Sequence, residues 1–209
     1  MNISYAELEG FLAAIHRVAP EKRIALKGRL KHFQRLGWPS GTNQGKGARV
    51  QYGIGQTLML AMGFELLQLG LTPERVVEQF KFSGRYLAKG FSEALAHYGP
   101  EAEPIYYAFS PESLASLRGD DVEVGFQSIM VSRDKVAELM QIPGAWLTRR
   151  FAFIDMAELL RLYADHFIDK GLGDPQNLRE AIDNWVRISD AAADRWLNHV
   201  LEGMPYGDS

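Results

Sequence analysis

Residues 20–50 hold eight cationic side chains, Lys22, Arg23, Lys27, Arg29, Lys31, Arg35, Lys46 and Arg49, against one acid, Glu21. The chemistry open to such a set is attraction of a polyanion. Lysine and arginine neutralise phosphates and release their counterions, and arginine forks onto a phosphate or a guanine edge. Arg23, Lys27, Lys31 and Arg35 recur every four residues, which on a helix makes one cationic row. Leu26, Leu30, Phe33 and Leu36 lie beside that row as an anchoring face, while His32 and Gln34 add neutral groups able to read base edges. A merely solvated helix face is the plainer reading of the row. Against it stand the absence of acids from the helix and the presence of Lys46 and Arg49 in the adjoining glycine-rich segment.

Other chemistry is thinly represented. With no cysteine, disulfides, cysteine zinc sites, iron–sulfur clusters and thiol catalysis are excluded. Gly41-Thr42-Asn43-Gln44-Gly45-Lys46-Gly47 has one intervening residue too few for a phosphate-binding P-loop and lacks Ser or Thr after the lysine. His166 with Asp165 and Asp169 reads either as a metal or acid–base cluster or as a wet helix face. Asp120, Asp121 and Glu123 read as a turn entering a strand. Trp146, Phe151, Phe153, Trp185 and Trp196 either line a ligand pocket or fill a core or interface. No catalytic, cofactor or metal site is assigned.

The elements that must position the basic row are written in local signals. Ser4 and Glu7 form a capping box for a helix over about 5–17, with Leu8, Phe11, Leu12 and Ile15 at helical spacing. Pro20 suits the first turn of a second helix, which stops at Gly37 with Pro39 beyond. Between Pro39 and Gly55 the glycines punctuate a segment in which Ala48–Tyr52 alternates like one arm of a short hairpin. An apolar helix over 56–69 ends at Gly70. Thr72 and Pro73 then open a short helix to about Phe80, followed by another at Arg85–His97. Beyond Gly99-Pro100 the chain reads as strands at 104–109, 122–131 and 146–154. Helices are expected at 133–140 capped by Ser132, at 156–170 capped by Asp155, and at 176–202.

Charge changes at the same place. Residues 1–99 carry 13 Lys and Arg against 7 Asp and Glu, a net +6, and residues 100–209 carry 10 against 19, a net −9. The expected organisation is α+β with two domains. Residues 1–99 form a mostly helical winged helix-turn-helix, and 100–209 an acidic α+β dimerisation or effector domain with a small sheet and two long helices. The 46% hydrophobic and 23% charged composition excludes global disorder. No apolar run approaches a membrane span. The N-terminus MNISYAELEG lacks the basic and apolar regions of a signal peptide, so a cytoplasmic, nucleoid-associated location is expected.

Three blocks carry a family resemblance. Arg29-Leu30-Lys31-His32-Phe33-Gln34-Arg35-Leu36-Gly37-Trp38-Pro39 resembles the end of the recognition helix and its exit turn in MerR-type regulators. Gly47-Ala48-Arg49-Val50-Gln51-Tyr52 is similar to their wing motif. Leu66-Leu67-Gln68-Leu69-Gly70-Leu71-Thr72-Pro73-Glu74-Arg75-Val76 resembles the segment after the wing. The match covers residues 20–80. It implies that Lys31, His32 and Arg35 face DNA and that Arg49 and Tyr52 bind phosphate from the wing. Gln34 stands where an acid is common and Ala48 replaces the first wing aromatic, and the family's metal or drug sensing is not carried over.

The expectation is a sequence-specific, double-stranded-DNA-binding transcriptional regulator without enzymatic activity or cofactor. Lys22, Arg23, Lys27, Lys46 and Arg49 would contact phosphate, with Arg29 beside them. Lys31, His32, Gln34 and Arg35 would read bases. The apolar helices at 156–170 and 176–202 favour a homodimer, and a small molecule or protein is the candidate effector at the second half. Two rivals stand beside it: an enzyme or ligand-binding protein with its site in 100–209, and an architectural protein binding DNA without sequence choice.

Overall fold

The Ser4 Oγ accepts from the backbone N–H of Glu7 at 3.3 Å, and the Glu7 carboxylate accepts from the Ser4 N–H at 2.7 Å. This reciprocal cap starts helix α1 (Tyr5–Ile15), and those hydrogen bonds hold the Glu7 carboxyl below its usual range. A computed structural model describes residues 2–42, 50–96, 103–111, 128–141, 151–168, 170–171 and 174–203. A single 3-10 turn at Pro20–Lys22 leads into α2 (Arg23–Arg35).

The end of α2 is closed tightly. Gly37 takes φ of 71°, a left-handed conformation that glycine adopts without steric cost. The N–H of Gly37 reaches the Gln34 carbonyl at 3.0 Å, and the N–H of Trp38 reaches that of Phe33 at 3.0 Å. This pairing folds Trp38 back onto Phe33, with ring centroids 5.0 Å apart. Helix α3 (Ile54–Gln68) ends in the same way at Gly70, φ 89°, with Leu71 bonded back to Leu66. Thr72 and Pro73 then open α4 (Pro73–Ala96).

Helix α4 is continuous over 24 residues, where two helices broken near Gly84 are expected from the sequence. One glycine inside a helix costs about 1 kcal/mol relative to alanine. Burial of Val76, Phe80, Leu87 and Phe91 along one side of α4 outweighs that. A second difference concerns the expected hairpin. Strand β2 (Gln51–Gly53) pairs antiparallel with β1 (Asn2–Ser4), Ile3 opposite Tyr52. Among the described residues the partner of this arm is therefore the N-terminus, and residues 43–49, from which the other arm of the expected hairpin would come, lie outside the described set.

The second half supplies a three-stranded antiparallel sheet of β3 (Ile105–Phe109), β4 (Ser128–Ser132) and β5 (Ala152–Asp155), with β3 central. Helix α5 (Val136–Gln141) follows a 3-10 turn. Ser132 bonds the Asp134 carboxylate instead of capping the backbone. Asp155 caps α6 (Met156–Ile168), its carboxylate accepting from Glu158 N–H at 3.0 Å. Asp174 does the same for α7 (Pro175–Gly203). The molecule is thus mixed α+β, mostly helical with two small antiparallel sheets. None of its described helices is long and apolar enough to cross a membrane.

The apolar core runs across residues 99–100. Leu8, Phe11 and Leu12 of α1 share one buried cluster with Tyr107, Met156, Leu160, Tyr163 and Phe167. Phe11 packs against the rings of Tyr163 and Phe167 at 5.5 and 5.3 Å. Gly63 lies flat beneath Trp38, where a Cβ would stand 2.9 Å from Trp38 Cη2 and 3.3 Å from Val76 Cγ1. Gly63→Ala is expected to lower unfolding free energy by about 1–3 kcal/mol through overpacking. Gly28→Ala, where a Cβ meets nothing within 4 Å, is expected to raise it by about 0.5–1 kcal/mol. Urea unfolding of the two variants checks both signs.

The core also encloses His16, whose side chain is 5% exposed, with Nδ1 3.5 Å from a Glu65 oxygen. Its Nε2 has no hydrogen-bond partner among the described residues. Burial depresses its pKa to about 4, so the unfolded chain binds the proton more readily. The stability this group contributes is present above about pH 6.5 and is lost as pH falls toward 4. Burial raises the Glu65 carboxyl, which partly offsets the loss at the acid end. A decline of about 2–3 kcal/mol across that window is expected. Substituting His16→Gln should flatten it, as followed by urea midpoints at pH 7, 6, 5 and 4.

Candidate nucleic-acid interface

Helix α2 has two faces set by its own sequence. Leu26, Leu30 and Phe33 are buried at 4, 1 and 0% exposure and join the main core cluster, Phe33 meeting Trp38 and Phe64 of α3. Ile24, Gly28, Lys31 and Arg35 follow one another at spacings of four, three and four residues. At about 100° per residue they form a crest on the opposite side. All four are exposed, as are Lys22, Lys27 and Arg29 around them. Helix α2 contains no acid. Among the described residues no carboxylate pairs with Lys22, Lys27, Arg29, Lys31 or Arg35.

Four of the other expected site residues, Arg23, His32, Gln34 and Tyr52, are engaged within the fold. Arg23 Nε lies 3.6 Å from Oε1 of Glu9, a carboxylate 8% exposed at the side chain. That oxygen accepts no hydrogen bond among the described residues, so Arg23 supplies its countercharge. His32 Nε2 meets Glu74 Oε1 at 2.9 Å, tying α2 to the start of α4. Glu74 is held below the usual carboxylate range, first by a backbone hydrogen bond and also by its contacts with Thr72 and His32.

Tyr52 requires a correction. The expectation put its hydroxyl on a phosphate, but the residue is 1% exposed. Strand β2 alternates, so that Gln51 faces out and Tyr52 faces the core. Its hydroxyl accepts from Gln34 Nε2 at 2.6 Å, and burial raises its pKa. Gln34 is thereby turned toward β2 and away from the crest. Lys46 and Arg49 lie outside the described residues.

Two residues on the crest escaped the sequence reading, Ile24 and Gly28. An isolated isoleucine near the start of a helix reads as a core residue. Only its phase, opposite Leu26, Leu30 and Phe33, places it outward. Glu9 and Glu74 were likewise unreadable as partners, because their pairing is with residues 14 and 42 positions away.

The cations therefore divide into those that hold the fold and those that face solvent. Arg23→Ala leaves a buried carboxylate without its cation and is expected to cost about 1–2 kcal/mol. That is less than a fully buried pair because Arg23 is itself 43% exposed. Lys27→Ala is expected to stay within about 0.5 kcal/mol of the unmodified protein. Urea unfolding at pH 7 separates the two classes. The chain matches no family model, no curated protein and no solved structure.

Proposed function

We propose that this protein is a sequence-specific regulator that binds double-stranded DNA through α2, with the outward crest in the major groove. The observation that carries the reading is the unpaired cationic face of α2, free of acids and fixed to the core by Leu26, Leu30 and Phe33. A helix so anchored presents its charges in one geometry, and a polyanion of regular spacing is the ligand that such an array suits. Lys22, Lys27 and Arg29 flank the crest and serve phosphates. Lys31 and Arg35 lie on it and serve base edges, where both prefer guanine O6 and N7. His32 and Gln34 act as positioning residues in this reading, since each is bonded within the fold. The resemblance of residues 20–80 to MerR-type domains supports a wing from the segment before β2, and Lys46 and Arg49 are its proposed phosphate contacts.

Selection of bound duplexes from a random pool tests the proposal. A single enriched motif is expected, and Lys31→Ala should relax it at one position. Lys22→Ala should weaken all duplexes alike and reduce the slope of log K against log salt by about 0.9. Anisotropy titrations from 50 to 200 mM salt measure that slope. Absence of duplex retention at 50 mM salt overturns the reading, and retention without a motif replaces the regulator with an architectural protein.

A further inference from the structure

Ile24 is 83% exposed, the highest value among the described exposed large hydrophobics. It stands one turn before Gly28, two before Lys31 and three before Arg35, all on the crest opposite the buried face of α2. Gly28 has open space where its Cβ would be, so no packing within the fold calls for glycine. Neither residue is what a solvated helix face favours, since both propagate a helix less well than alanine, lysine or glutamate. Both do suit a surface that meets another surface. An isoleucine there offers a methyl-bearing contact, and a glycine one turn on removes the side chain that would hold the helix away.

Charge selects the partner. Lys27, Lys31 and Arg35 follow the pair along this side of α2, which carries no acid; Glu21, in the 3-10 turn before the helix, is the nearest acid in sequence. An occupant that is anionic around an apolar centre suits this face. The major groove of duplex DNA has that composition where a thymine occurs, because the 5-methyl group projects among flanking phosphates. We infer that Ile24 is a specificity-determining residue that covers a thymine methyl, and that Gly28 admits α2 to the depth at which this contact forms. The inference rests on the proposed DNA reading and adds to it the base that the helix recognises.

The experiment uses the full chain and the duplex motif recovered by selection. Each thymine is replaced in turn by deoxyuridine, which removes only the methyl group, and affinity is read by anisotropy. At one position the change should weaken binding about fourfold, the equivalent of roughly 0.8 kcal/mol for one buried methyl-sized group. Ile24→Ala should bind the thymine duplex several-fold more weakly and show equal affinity for thymine and deoxyuridine there. Gly28→Leu should lose at least tenfold in specific affinity while keeping its circular dichroism and an unfolding midpoint no lower than that of the unmodified protein. A motif at which no deoxyuridine replacement matters overturns the Ile24 assignment and leaves the regulator reading in place. A sensitivity that survives in Ile24→Ala assigns the methyl contact elsewhere and overturns it equally. Failure to retain any duplex, or retention without a motif, overturns the inference together with the sequence-specific reading on which it stands.

Discussion

A continuous aromatic stack holds α2 to the rest of the molecule. Phe33 lies against Trp38 at 5.0 Å, Trp38 is stacked on Phe80 at 5.6 Å with the rings 8° from parallel, and Phe80 meets Tyr107 at 5.9 Å. Tyr107 continues to Phe109 on the central strand, and its hydroxyl accepts from the buried Gln79 amide at 2.7 Å. The stack begins on the last turn of α2 and ends in the sheet. Truncating one large buried aromatic typically costs about 3–5 kcal/mol, so the orientation of α2 rests on contacts far stronger than any of its surface charges. The tight exit at Gly37 is what returns Trp38 to the stack, and Gly63 is what leaves room for it.

The electrostatics divide in a way that stability alone does not explain. Glu9 and Glu74 are spent on Arg23 and His32, which fix the crossings of α2 with α1 and α4. Elsewhere the described exposed pairs join neighbours along one helix, as Arg161 does with Glu158 and Asp165, or two helices, as Lys89 of α4 does with Asp190 of α7. Such exposed pairs contribute about 0–1 kcal/mol each. Their absence from α2 therefore costs the fold little, while concentrating positive potential on one face. Salt weakens that potential over a screening length of about 8–10 Å. A function built on it must be salt-dependent, and the fold beneath it need not be.

Local chemistry was legible in the sequence and pairing at a distance was not. Ser4 with Glu7, Asp155, and Gly37 with Gly70 each act within a few residues, and each marked a helix end where the structure has one. The outward phase of α2 was half legible. Leu26, Leu30 and Phe33 fixed its buried side, but Ile24 was unassigned because hydrophobicity, read alone, sends a residue inward. The pairing of β2 with the N-terminus is a distant contact that no local signal encodes, and a single step of strand parity decides whether Tyr52 meets solvent or core. The same parity turned Gln34 toward β2. The break expected near Gly84 failed for a related reason, since the tertiary burial of α4 overrides one weak helix former.

Those internal engagements restrict what α2 would read in the proposed function. With Gln34 bonded to Tyr52 and His32 to Glu74, the adenine-reading amide has left the crest and the imidazole is committed. On the proposed docking, hydrogen-bond readout passes to Lys31 and Arg35, and both distinguish guanine better than any other base. A helix limited to these two would see A·T pairs only as positions without a guanine. An apolar group at the same depth changes that, because the thymine methyl is the one major-groove feature that a hydrocarbon side chain distinguishes. Ile24 sits two turns ahead of Lys31 on the crest, and Gly28 leaves nothing between them to block approach. On that proposal the exposed isoleucine and the bare glycine answer a deficit created by the hydrogen bonds that orient the helix.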